Sequence, residues 1–252
     1  MHLLLFFKRA ININYHRLKR PFEGEDDTLT KKQKMADQSQ IRSERMTELV
    51  RLMILSEPSK YLNTELFTSM IPHIEALALQ QPNSELTDES FELLGQLTSL
   101  TSLKFNIRND SKVSAASLNH LSSLTNLKCL EAYAWSLETK KNSEYLKNMH
   151  HLTSLNACVL SDNFSVLENL TNLKLLDIKT NIVNGEFFNY ISAFKELELL
   201  CIVAFDATSV DIGKLSGCTK LKTLKLDDFS AFSQSQNVMT TNKGNINCNS
   251  HP

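Results

Sequence analysis

The side chains equipped for chemistry are few and poorly grouped. His150 and His151 adjoin each other shortly after Lys147, the kind of grouping that elsewhere moves protons or holds a metal. A metal centre needs three or four converging ligands, and no carboxylate or Cys lies at ligand spacing from this pair. General acid-base work needs a partner that orients the imidazole, and the local sequence supplies none. The cysteines at 129, 158, 201, 218 and 248 form no Cys-x-x-Cys and no His-paired spacing, so neither a zinc set nor a disulfide framework is indicated. Their odd number and apolar flanks favour a reducing compartment. No glycine-rich phosphate loop, nucleophile elbow or paired-carboxylate motif occurs. Sequons at Asn109, Asn163 and Asn169 would matter only in a secreted protein. The expectation is a noncatalytic protein with no metal and no cofactor.

Composition narrows the partner. The chain has 252 residues, 42% apolar content and a formal net charge of -1, enough to bury a large core and too balanced to attract nucleic acid or an anionic membrane. The opening "MHLLLFF" has a short apolar run ahead of Lys8 and Arg9, the reverse of a secretory signal. No stretch approaches the roughly 20 apolar residues of a membrane span. These features point to an intracellular protein, nuclear or cytoplasmic.

Residues 1–38 form a charged, aperiodic leader, expected to be disordered. In it Lys19 and Arg20 precede Lys31, Lys32 and Lys34 at the spacing of a bipartite nuclear-import signal; a solvated basic tail is the plainer reading, and translation from Met35 would remove the signal. Residues 39–56 predict a helix, because Met46, Leu49, Val50, Met53 and Ile54 share one face, and Glu57-Pro58 ends it. Residues 230–252, rich in Asn, Ser and Thr, read as a disordered polar tail.

Between these, over 57–229, one pattern recurs. "LTSLTSLKF", "LTNLKCLEA", "LTNLKLLDI" and their relatives align on Leu77, Leu103, Leu130, Leu155, Leu176, Leu200 and Leu224, at spacings of 26, 27, 25, 21, 24 and 24. An apolar cluster of helical spacing precedes each anchor, so each unit predicts one helix and one short strand. A single unit cannot bury its apolar face, whereas stacked units can.

The pattern resembles the leucine-rich repeat, and the unit length and helical half look most like its ribonuclease-inhibitor-like branch. The resemblance implies an α/β solenoid, a horseshoe of about seven helix-strand units behind an N-terminal capping helix. The family's Asn or Cys five positions after the anchor appears only as Asn181; Pro82, Arg108, Trp135, Leu160, Phe205 and Phe229 stand at the other places, so an irregular inter-repeat ladder is expected. The stretch "LNTELFTSMIPHI" also loosely resembles the start of an F-box, which would imply a substrate-recognition subunit of a ubiquitin ligase.

Strand alternation then assigns the surface. Each anchor and the residue two later point inward, and the residues between and beyond point out. The outward grid comprises Lys104, Asn106, Glu131, Tyr133, Asn156, Cys158, Asp177, Lys179, Cys201, Val203, Lys225 and Asp227, with Trp135 and Phe205 beside it. Aromatic anchors within a polar rim suit a protein partner on the concave face. Substituting Asp177 or Lys179 is expected to stay within about 0.5 kcal/mol of neutral. The stacked edge below Leu224 and Leu226 lacks a closing unit, which predicts docking or self-association there, or a longer natural array.

Overall fold

The computed structural model describes residues 31–79, 86–107, 113–114, 116–134, 143–207, 212–228, 237–242 and 245–249. Seven consecutive strands lie parallel in one sheet: β1 (Ala76–Leu79), β2 (Ser102–Ile107), β3 (Cys129–Ala134), β4 (Ser154–Cys158), β5 (Leu175–Val183), β6 (Leu199–Ala207) and β7 (Thr223–Asp228). The seven anchors make one line of register: Leu77 opposes Leu103, then Leu130, Leu155, Leu176, Leu200 and Leu224 in turn. None is more than 4% exposed. Leu79, Phe105, Ala132, Ala157, Ile178 and Ile202 make a second buried row two residues on. The fold is the expected α/β leucine-rich-repeat solenoid.

A repeated hydrogen bond joins the units. The Glu75 carbonyl accepts from both the Thr101 and Ser102 N–H groups, at 2.7 and 3.1 Å. The Thr101, Lys128, Thr153, Lys174 and Glu198 carbonyls each do the same for the next unit, at 2.8 to 3.2 Å. One turn carbonyl thus uses both lone pairs at every junction. Side chains add rungs: Asn126 and Asn172 donate to the Thr98 and His150 carbonyls, and Asn181 accepts from the Ser161 N–H. Asn181 therefore does bridge repeats, while the backbone makes the rungs the other units do not get from a side chain.

The back of the solenoid departs from expectation. Among the described residues of the back, α2 (Glu65–Thr68), α3 (Asp88–Leu94) and α4 (Gly185–Ile191) are α-helical, while Ser117–Ser123, Glu144–Asn148, Ser161–Leu167 and Ile212–Gly217 are 3-10 helices. A 3-10 helix rises about 2.0 Å per residue and covers the core with fewer residues than an α-helix. The shortest unit, ending at Leu176, uses such a segment. The α-helical back of the ribonuclease-inhibitor-like branch is thus not uniform in this chain. Where α-helices form they are capped: Thr87 and Ser90 make a capping box on α3, and Asn184 Oδ1 accepts from the Glu186 and Phe187 N–H groups on α4.

The N-terminal helix α1 spans Lys31–Ser56, eight residues longer than its apolar periodicity predicted. Leu49, Val50, Met53 and Ile54 are buried against the first repeats as expected, whereas Met35 and Ile41 are exposed. The added turns contain no Gly or Pro, so propensity extends a helix that packing had started. The expected leader thus gives up residues 31–38 to the helix, with Lys31, Lys32 and Lys34 on its backbone, while Lys19 and Arg20 lie outside the described residues. The fully buried Ser90 fastens α1: its hydroxyl donates to the Ile54 carbonyl at 3.0 Å and accepts from the Thr87 N–H at 3.1 Å.

The other end also differs. Residues expected as a polar tail hold β8 (Asn237–Asn242) and β9 (Asn245–Asn249), which extend the sheet antiparallel to β7. Leu224 opposes Met239 and Leu226 opposes Asn237, so β7 is not the last strand. Thr and Val favour strand, and an exposed row of backbone donors and acceptors on β7 invites pairing.

Two substitutions test this. Leu176→Ala removes a fully buried anchor and is expected to cost about 2 to 5 kcal/mol. Ser90→Ala leaves the Ile54 carbonyl and Thr87 N–H unpaired and is expected to cost about 1 to 3 kcal/mol. Denaturant titration of each variant measures both.

Candidate functional site

The outward side chains of β2 to β7 form the candidate site. One row runs across the sheet in register: Lys104 opposes Glu131, then Asn156, Asp177, Cys201 and Lys225. A second row places Asn106 beside Tyr133, and further along sets Cys158, Lys179, Val203 and Asp227 as neighbours. Phe205 is placed by its backbone on β6 and Asp227 by its backbone on β7. Trp135 lies outside the described residues.

Five of the expected residues gather around one ring. The Lys179 ammonium lies 5.1 Å and the Lys104 ammonium 6.0 Å from the centroid of Tyr133, both within cation–π range. Lys104 also pairs with Glu131. This hydrogen bond holds the Lys104 ammonium above its ordinary range. Partial burial raises the Tyr133 phenol, with Glu131 adding to the shift and Lys104 opposing it. Asn156 donates to Asp177 at 2.9 Å. Asp177 is therefore tied to its neighbour across the sheet.

The part of the face that sequence reasoning passed over is apolar. Leu175 and Leu199 sit one residue before their anchors, opposite each other in register and half-buried on the outward side. With the half-exposed Cys201 and Val203 they make an apolar strip across β5 and β6. At that position the other strands carry Ala76, Ser102, Cys129, Ser154 and Thr223. A leucine pair standing against that row of small residues was the available signal. The site thus has a polar part around Tyr133 and an apolar part beside it.

No family model and no curated protein matches the chain. Among solved structures it is similar to internalin C2 of Listeria monocytogenes strain 4b F2365, with 18% identity over 65% of this chain and 77% of that one, at a TM-score of 0.42. Internalin F of the same strain shows 22% identity over 62% of this chain and 48% of that one, also at a TM-score of 0.42.

Of the remaining chemically equipped residues, Cys129 lies on the outward side of β3 and the others lie apart from the face. His150 and His151 occupy the turn before β4. Among the described residues no group of three or more His, Cys, Asp or Glu side chains could hold a metal, and no helix is long and apolar enough to cross a membrane. Asn163 is buried and donates to the Ser143 hydroxyl, while Asn169 is exposed. Cys218 is buried behind the sheet, donates to the Ile191 carbonyl, and has its thiol pushed up to about 11 by burial. Cys129 is exposed.

The thiols give a direct check. The thiolate is the reactive form, so iodoacetamide at neutral pH is expected to label Cys129 in the folded protein and Cys218 only after unfolding, read by peptide mass spectrometry.

Proposed function

We propose that the chain is a noncatalytic interaction module that binds a protein partner on the outward face of its parallel sheet. The observation that carries this reading is the junction of Tyr133, held beneath two lysines, with the Leu175, Leu199 and Val203 strip. Partly desolvated aromatic and aliphatic anchors inside a polar rim are what strong protein contacts are built from. The charges of the polar part already pair with one another on the face, so they set orientation and exclude wrong partners more than they add affinity. The apolar strip and the Tyr133 ring contribute the larger share of the binding energy.

The ligase-subunit reading is less well supported. In residues 62–74, Phe67, Met70 and Ile74 are fully buried as the core of the first repeat. Those apolar groups are committed to the solenoid and are not free to dock a ligase scaffold. Self-association, if it uses the sheet edge, uses β9 and not β7. Placement in the nucleus rests on the basic residues at 19, 20, 31, 32 and 34, and in the cytoplasm on their being a solvated tail.

The test pairs two baits from the source cells: the full chain and a Tyr133→Ala, Val203→Lys double variant. Both changed side chains point outward, so the melting temperature is expected to stay close to that of the unchanged chain, while a purified partner binds at least tenfold more weakly, about 1.4 kcal/mol. Equal binding by both baits would move the site off this face, and ligase subunits among the lost partners would favour the second reading. Separately, a tagged chain with Lys31, Lys32 and Lys34 changed to Ala is expected to lose nuclear enrichment, seen by microscopy; identical distributions would end the import reading.

A further inference from the structure

The turn inside the fourth repeat, between Glu144–Asn148 and β4, contains a polar atom with no outlet. The Nε2 atom of His151 is buried and makes no hydrogen bond. The ring's bond to the Leu124 backbone is therefore made through Nδ1, which donates to that carbonyl. The neutral ring suits this place, because a bare lone pair on Nε2 is cheaper to bury than an N–H or a charge. His150 packs edge-on against it, with ring centroids 5.4 Å apart.

This turn is also a structural junction. The Lys128 carbonyl from the preceding repeat accepts from the Thr153 and Ser154 N–H groups immediately after the His pair. From the following repeat, Asn172 donates to the His150 carbonyl at 2.8 Å, and the Lys174 N–H bonds the Thr153 carbonyl. The charge interactions on the His151 ring come from Lys128 in the repeat before and His150 in the same turn, and both disfavour its protonation.

We propose that this turn is an acid-sensitive joint in the solenoid, at which protonation of His151 loosens the ladder between the repeats flanking β4. A proton can add only at Nε2, where it meets no acceptor and stands among like charges, so the charged ring is accommodated by moving the turn. Burial lowers the affinity of His151 for its proton, and His150 and Lys128 lower it further, against the bond to Leu124. The sign follows from linkage: the stability tied to the neutral ring is fully present above the ordinary imidazole value of about 6.5 and is lost as pH falls through the lower native value. Acid then opens the turn, and with it the Lys128 and His150 carbonyl bonds. The inference is independent of any partner.

The experiment has two readouts on the full chain. Imidazole resonances followed by NMR are expected to show His151 titrating below the ordinary value. Amide exchange by mass spectrometry, corrected for intrinsic rates between about pH 7.5 and about pH 5.5, is expected to lose protection selectively across residues 149–158 and 172–176. His151→Gln is expected to abolish that selective loss, and His150→Gln to reduce it by removing a nearby positive charge. A His151 that titrates at or above the ordinary value overturns the proposal, as does an equal loss of protection in the unchanged chain and His151→Gln. If His151→Gln does not fold, the titration of the unchanged chain and the His150→Gln comparison decide.

Discussion

Everything in this molecule depends on one junction repeated at each step: a turn carbonyl that accepts two successive N–H groups from the next unit. It fixes where each new strand begins relative to the last. With the start fixed, alternation fixes which side chains point in and which point out, because a slip of one residue would exchange the two faces. The line from Leu77 to Leu224 is the buried consequence of that constraint, and the row from Lys104 to Lys225 is its exposed counterpart. Stability and surface chemistry are thus set by the same bonds. Since each unit touches only its neighbours, loss of one junction is felt first in the two adjoining repeats.

The ends are handled differently from the middle. At the N-terminus an amphipathic helix covers the core, and the hydroxyl of Ser90 satisfies a carbonyl near its C-terminal end while joining it to the second repeat. At the C-terminus the sheet continues through two antiparallel strands, which moves the open edge from β7 to β9. The first solution seals apolar side chains; the second occupies backbone donors and acceptors. Each meets the need its end presents, since the helix buries Leu49, Val50, Met53 and Ile54, and β8 pairs with β7.

Local spacing made much of this legible. All seven anchors were found from the recurrence of leucine alone, and every one is buried in register. The outward grid followed from alternation, and Lys104, Glu131, Tyr133, Asp177 and Lys179 do come together. Less legible were features that leave no periodic trace. The 3-10 segments on the back share the apolar composition of α-helices, and unit length does not distinguish them: the 27-residue step to Leu130 crosses a 3-10 segment and the 24-residue step to Leu200 an α-helix. The first turns of α1 carry no apolar stripe to read. Leu175 and Leu199 sit one residue before their anchors, where alternation points them outward, yet the expected grid did not include them. The bond from Asn156 to Asp177 was not legible either, because the two stand 21 residues apart and meet only across neighbouring strands.

By itself the sequence determined the repeat, its register and the division of each strand into an inner and an outer face, because these follow from short-range spacing and the removal of leucine from water. It also determined that chemistry needing three or four converging ligands has no local motif to start from. Only the tertiary structure decided what the outer face is. Stacking strands at a fixed offset brought a tyrosine, two lysines and their counter-charges from three separate repeats onto one another, and set a leucine pair beside them. The same stacking enclosed one nitrogen of His151 without a partner. Neighbours across strands are separated by some 20 to 27 residues in the chain, so the energies between them are properties of the assembled solenoid, and no single repeat carries them.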